Sequence, residues 1–285
     1  ETLKRANEPL VPKRTLKAIT ALKEAGIDFG PATGRSAYDA LPFYGFDARY
    51  LQTAICGSGK VVYGKGALVA KRVLSAKTLE RILQVIARYK DTYLAYFDEG
   101  PAEPPLDVSI RPAWMIFGVT QAQVDYINAH YDSFTAAQGP NTVPHDKDFI
   151  SVGILAPQDQ LAREAMFDDV LTQIPEIDLV SPYTGWYDVN PKGFSKADGF
   201  KILLEYLNLA PDEVVFCGDS GNDLTLLELS PHSFCVGNGS DEAKAAATYT
   251  LNGTVDKEIV AQLMEALVAD GGDISGPHVQ ALIER

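Results

Sequence analysis

This 285-residue chain is short of long apolar runs, of cysteine and of positive charge. No apolar run approaches the ~20 residues that span a bilayer, so no membrane-crossing segment is predicted. Cys56, Cys217 and Cys235 cannot all pair and share no metal-ligand spacing, which argues against a disulfide scaffold and a zinc module. Cys217 in VVFCGD and Cys235 in SFCVG sit among apolar residues, as buried reduced thiols do. With 25 Lys and Arg against 38 Asp and Glu, the formal net charge is −13. Such a field repels phosphate backbones at long range, so no nucleic-acid partner is expected. The modest 23 Gly and 17 Pro exclude a collagen-like or low-complexity chain, and 46% hydrophobic content excludes disorder. A soluble, cytoplasmic setting is the expectation.

What is present is an alternation of helical and extended patterns. Residues 12–25 carry Leu16, Ile19 and Leu22 at helical spacing, with Gly26 as the stop. A strand is predicted at 27–32 and a second helix at 37–44. Residues 50–63 read as extended pieces around the turn-rich CGSGK. A helix at 76–90 and a strand at 92–97 precede the Pro-rich loop 99–112. Strands are expected at 113–119 and 149–155, and helices at 121–134 and 157–173. The second of these opens with Pro157 near its N-terminus. Two extended pieces, IDLVS and WYDVN, close this middle region. From about residue 190 helices and buried apolar strands alternate strictly, which means a parallel sheet with helices on both faces.

Chemistry concentrates at three strand-to-helix or loop-to-helix junctions. In VVFCGDSGND (214–223) an apolar strand runs directly into Gly-Asp-Ser-Gly-Asn-Asp and then a helix. Ligands of α/β sheets bind outside the carboxyl ends of strands. Asp219 at such a tip is a hard oxygen donor suited to Mg²⁺, with Asn222 and Asp223 at the helix start. Any one of these residues could equally cap a helix; the whole string points to a site. In Ala32-Thr33-Gly34-Arg35-Ser36 a hydroxyl, a glycine amide and a helix start together make an anion site. Lys196 opens a helix just before the Asp219 unit, with Lys192 and Lys201 as competitors.

The ordered set ATGRS, GFSKADG and GDSGND resembles the second, third and fourth motifs of the haloacid dehalogenase-like phosphatases. The Cof-type subfamily with a type IIB cap is the nearest pattern. CVGNGSDEAKAAA resembles the segment that follows the fourth motif, and Gly57-Ser58-Gly59 the family's Asn-Gly-Ala turn, with Ser58 in place of Asn. The resemblance implies a Rossmann-like parallel-sheet core with an inserted α+β cap. The core would occupy 1–74 and 191–285 and the cap 75–190. It also implies a Mg²⁺-dependent phosphatase acting on a small phosphorylated metabolite, a sugar phosphate above all, through an aspartyl-phosphate intermediate. Thr33, Gly34, Arg35, Lys196 and Asn222 would then bind substrate, with Thr33, Lys196 and Asp223 in catalysis. Asp219 and Asp223 would hold the metal, Asp223 directly, through water, or by orienting Lys196. The family's opening strand ends in Asp-x-Asp-Gly-Thr, whose first Asp is the nucleophile. This chain carries no such string, and Glu1-Thr2-Leu3 matches its Gly-Thr-Leu close, so the nucleophile is expected immediately before Glu1.

Two other functions share these motifs. A phosphomutase of similar fold would need a bisphosphate activator. A non-catalytic sugar-phosphate-binding protein would keep the pocket without Asp-x-Asp. Gly59 to Gly66 fits the front of a P-loop, but Gly66 replaces the required Ser or Thr, and Val-Val-Tyr inside it reads as strand. His145 with Asp146 and Asp148 reads as solvated loop.

Overall fold

The alternating patterns fold into three sheets. The computed structural model describes residues 2–5, 7–130 and 135–284, the side chains of Pro182 and Tyr183 excepted. Residues 131–134, where the helix predicted from 121 was to end, lie outside the described residues.

The first segment holds α1 (Lys13–Glu24), α2 (Ala37–Ala40) and the strands β1 (Ala54–Cys56), β2 (Val61–Gly64) and β3 (Ala67–Lys71), which form an antiparallel sheet in that order. The middle segment runs α3 (Ala76–Ile86), β4 (Tyr93–Asp98), β5 (Ala113–Ile116), α4 (Gln121–His130), β6 (Ala136–Gln138), β7 (Val152–Leu155), α5 (Gln160–Gln173), β8 (Ile177–Tyr183) and β9 (Trp186–Pro191). Its strands make one six-stranded sheet in the order β6-β5-β4-β7-β9-β8, antiparallel except for β5 with β6. The last segment is α6 (Lys196–Leu207), β10 (Val215–Gly218), α7 (Leu224–Leu229), β11 (His232–Cys235), α8 (Asp241–Ala246), β12 (Tyr249–Thr250), α9 (Ile259–Ala269) and α10 (Pro277–Gln280). Here β10, β11 and β12 pair in parallel in that order.

Strand alternation buries both faces of the parallel sheet. Val215 and Cys217 pack with Phe234 and Val236 against α1 and α9, whereas Val214 and Phe216 face α6 and Leu226. The α6 cluster also takes in Ile55 and Val62, and the α1/α9 cluster takes in Ile27 and Phe29. The same helices therefore clamp β10 and the β1 sheet together. Among the described residues, however, β10 pairs with β11 alone and its other edge is open. Desolvation of Cys56 and Cys217 pushes each thiol up to about 12, as buried thiols among apolar neighbours should behave.

Several element bounds move for local reasons. The strand predicted at 27–32 shrinks to a single parallel bridge, Ala32 with Ile55, because Pro31 lacks a donor and among the described residues no strand pairs its other edge. The helix at 37–44 divides at Pro42 into α2 and a 3₁₀ turn. The start of α5 is Gln160 rather than Pro157, since the Asp159 carboxylate accepts the Ala162 N–H and caps it there. The last long helix, α9, begins at Ile259, after a 3₁₀ turn. Sequence periodicity gave no sign of the short elements β3, β6 and α10.

In the middle segment α3 and α5 cover one sheet face, where Leu79, Ile82, Met166 and Val170 meet Leu94, Ile154 and Val189. The opposite face carries Phe97, Trp114 and Trp186, the two indoles packed edge-on with centroids 4.7 Å apart. Phe97 and Ile150 from this segment join Tyr38, Leu41 and Tyr63 in one buried cluster, which seats the six-stranded sheet on the first segment.

Candidate active site

The carboxyl end of β10 is the centre of the site. Lys196, the first residue of α6, turns its side chain inward and is 5% exposed, as is Asp223. Its Nζ donates to Asp223 Oδ1 at 2.8 Å. The other oxygen of Asp223 accepts the Asp219 N–H at 3.1 Å. Asp223 thus bridges the strand tip and the lysine, the arrangement that orients Lys196. The helix start is fixed independently, because Asp198 Oδ2 accepts from both the amide and the hydroxyl of Ser195, at 2.9 and 2.8 Å.

Two glycines make this approach possible. A Cβ on Gly218 would lie 2.8 Å from the Cβ of Asp223, so only glycine lets the carboxylate fold back over the strand tip. Gly59 has φ +101, and a Cβ there would lie 2.3 Å from the Ser195 carbonyl oxygen. The Gly57-Ser58-Gly59 turn therefore sits directly on the start of α6. It also grips the Thr33 loop, through Ser58 N–H to Thr33 O at 3.0 Å and Gly57 N–H to Arg35 O at 2.7 Å.

The Thr33 loop and the Lys196 loop are thereby joined through this turn. Thr33 Oγ1 accepts the Arg35 N–H at 3.1 Å, while Gly34 is exposed. Arg35 lies at the rim, its guanidinium 2.6 Å from Asp39. On the β10 side Asp219 is held from behind by Ser240 N–H to its carbonyl at 2.9 Å. Its carboxylate accepts the hydroxyl of Thr2, so the described start of the chain reaches the strand tip. Asn222 is exposed and bonds Ser220 at 3.0 Å. No described contact brings it to Lys196 or Asp219.

The competing lysines separate cleanly. Lys192 pairs with Asp178 and Lys201 with Asp198 on the exposed surface. The string Asp146-Lys147-Asp148, an Asp-x-Asp without the following Gly-Thr, lies in the loop ahead of β7. There Lys147 pairs with Asp98 and Asp148 with Lys71, and His145 bonds Glu80 at 2.9 Å. Among the described residues no three His, Cys, Asp or Glu side chains converge on one metal position.

A second group of charges adjoins the site, which the motifs did not single out. Lys60 follows Gly59, is 3% exposed, and donates to the Val189 carbonyl of β9 at 3.1 Å. Burial lowers its ammonium to about 8, against the pull of Asp188 and Glu99. Glu99 is pushed up to about 7 by burial, opposed by hydrogen bonds from Ser36 and Ser151 and by Lys60. Asp188 is also raised by burial, although Trp186 Nε1 donates to it at 2.7 Å. The only signal in sequence was a lysine heading the apolar run Val-Val-Tyr.

Comparison with known proteins decides the family. A family model of haloacid dehalogenase-like hydrolases matches residues 1–264. The chain belongs to this family. Phosphatase MG265 of Mycoplasma genitalium, so named provisionally, is 24% identical over 247 residues, covering 83% of this chain and 84% of that one. A local match of 35% over 69 residues to the chloroplastic endoribonuclease YBEY of Arabidopsis thaliana covers 24% of this chain and 12% of that protein. Among solved structures, the subclass IIB sugar phosphatase BT4131 superposes with a TM-score of 0.68 at 18% identity, over 92% of this chain and 94% of that one. That likeness carries the fold, a parallel-sheet α/β core with an inserted α+β cap. Among the described residues no helix is long and apolar enough to cross a membrane.

Proposed function

We propose that this hydrolase is a Mg²⁺-dependent phosphatase of small phosphomonoesters, with sugar phosphates as its substrate class and the cytoplasm as its setting. The observation that carries the reading is the buried Lys196–Asp223 pair at the tip of β10, beside the Asp219 carboxylate. A fixed ammonium and a hard oxygen donor at one strand tip suit a phosphoryl group better than a neutral carbonyl substrate. The names of MG265 and of the sugar phosphatase BT4131 agree with it.

The side chains take separate roles. Lys196, held by Asp223, binds the phosphoryl oxygens and stabilises their charge as it redistributes. Thr33 Oγ1 and the Gly34 N–H meet the same oxygens from the other side, Arg35 guards the rim and Asn222 positions phosphate. The donor chemistry fits Mg²⁺, which takes one or two carboxylates and fills its sphere with waters and substrate oxygens. Asp219 would hold it, with Asp223 acting from behind through Lys196 and the Asp219 amide. When bound, Mg²⁺ offsets the repulsion between an anionic nucleophile and an anionic phosphate. An Asp carboxylate forms the O–P bond as the ester P–O bond breaks, a second acid protonates the leaving alkoxide, and water then hydrolyses the acyl phosphate. The Thr2–Asp219 contact brings the segment that resembles the close of the nucleophile motif to this strand tip.

The intact protein is expected to hydrolyse p-nitrophenyl phosphate in Mg²⁺ and to lose that activity with Asp219→Ala. Robust turnover by the variant would sink the assignment.

A further inference from the structure

We propose that Glu99 and Asp188, positioned by Lys60, read the alcohol part of the substrate and select an uncharged polyol over a group bearing a second anion. The proposal rests on the phosphomonoesterase reading above and names the specificity of that same site.

Location is the first argument. Lys60 stands one residue beyond Gly59, whose backbone abuts Ser195 and Lys196. Ser36, one of the donors to Glu99, is the last residue of the Thr33 loop. Arg35 in the same loop attracts Asp188. The cluster begins where the phosphate-binding loops end, and its carboxylates come from the inserted segment that covers them.

The second argument is unspent hydrogen-bonding capacity. An ionised carboxylate offers about four acceptor sites. Asp188 receives the Trp186 indole N–H, and Glu99 receives Ser151 Oγ at a long 3.4 Å together with Ser36. No salt bridge joins either acid to Lys60, whose described hydrogen bond goes to a neutral carbonyl instead. A cluster built only to hold the fold would close this gap, as Lys196 and Asp223 do at 2.8 Å. The raised pKa of both acids has the same origin, since their charge is desolvated without a close partner. Hydroxyl groups are the donors that would satisfy them.

A third observation adds an acceptor of the same kind. Asn190 is 3% exposed and its Oδ1 has no hydrogen-bond partner. By strand alternation it shares a face of β9 with Trp186 and Asp188.

Selectivity follows from charge. Above about pH 7, where Glu99 is ionised beside Asp188, Lys60 balances one acid and leaves the other uncompensated. Lys60 is tied to Val189 and buried, and Arg35 is held by Asp39, so neither cation is free to meet a second anion. A carboxylate or second phosphate on the substrate would face like charge, whereas a sugar hydroxyl would face acceptors.

The test is calorimetric binding to the full chain in Mg²⁺, with inorganic phosphate, a hexose 6-phosphate, a hexose 1,6-bisphosphate and phosphoglycolate as probes. The hexose monophosphate is expected to bind at least about tenfold more tightly than the other three. Asp188→Asn and Glu99→Gln, both isosteric, should each shrink the ratio of monophosphate to inorganic phosphate affinity toward one. Equal affinities across the wild-type panel, or variants that keep the wild-type ratio, overturn the proposal while leaving the phosphatase reading in place. Failure of every probe, inorganic phosphate included, overturns the phosphatase reading itself and the proposal with it.

Discussion

Two lysines are buried within a few residues of one another's loops, and they are buried differently. Lys196 meets the Asp223 carboxylate at 2.8 Å, so charge is matched by charge. Lys60 meets only the Val189 carbonyl, with two acids at longer range. The first arrangement holds an ammonium in one position, ready for an anion. The second leaves a cation and two carboxylates incompletely satisfied, and such groups are costly to keep unless something else binds them. Tight pairing thus marks the part of the site held in one geometry, and loose pairing the part with hydrogen-bonding capacity left over.

Removing Lys196 should break the comparison most severely. Lys196→Met leaves Asp223 buried without its partner, which costs about 3–5 kcal/mol. Chemical denaturation should show that loss, and calorimetry the loss of phosphate binding.

Lys60 is tested through pH. Its ammonium is lowered from 10.5 to about 8, so between those values the unfolded chain binds more protons and stability rises with pH. Relative to Lys60→Met, the wild-type protein should gain on the order of 3 kcal/mol across that window. Parallel denaturation curves from pH 7 to 10.5 would refute the cost of burying this charge.

Glu99 titrates in the opposite sense. Its carboxyl is raised from 4.5 to about 7, so the folded state binds more protons between those values and stability falls as pH rises. Glu99→Gln should flatten that slope.

The smallest change tests the turn between the two lysines. Gly59→Ala forces a Cβ against the Ser195 carbonyl at an unfavourable φ and should cost about 2 kcal/mol. Thermal melting reads the loss. An unchanged melting temperature would mean that the turn does not hold α6 in place.

The strand-tip motifs were legible because each is local. Strand, tip and helix start lie within ten residues in VVFCGDSGND, and backbone geometry alone puts Asp219 and Asp223 at the carboxyl end of β10. The same holds for Thr33 and Gly34 ahead of α2. The GFSKADG resemblance already chose Lys196 over Lys192 and Lys201, and the fold supplies the physical difference, since of the three only Lys196 is buried. The strand expected at 27–32 was misread because its apolar content reports burial, while pairing depends on a neighbour that the pattern cannot show. Lys60, Glu99 and Asp188 escaped notice for a related reason. They are 39 and 89 residues apart along the chain and meet only because the inserted sheet seats on α2 and β2.

The amino-acid sequence by itself determined the alternation of elements, the family and the residues at each strand tip, since periodicity and short-range turn chemistry act over about ten residues. The tertiary structure alone decided how deeply each lysine is buried, how Asp223 divides its two oxygens, and which charges the inserted segment brings to the Thr33 and Lys196 loops. Burial and charge pairing depend on what packs opposite a residue, and that partner is set by the fold.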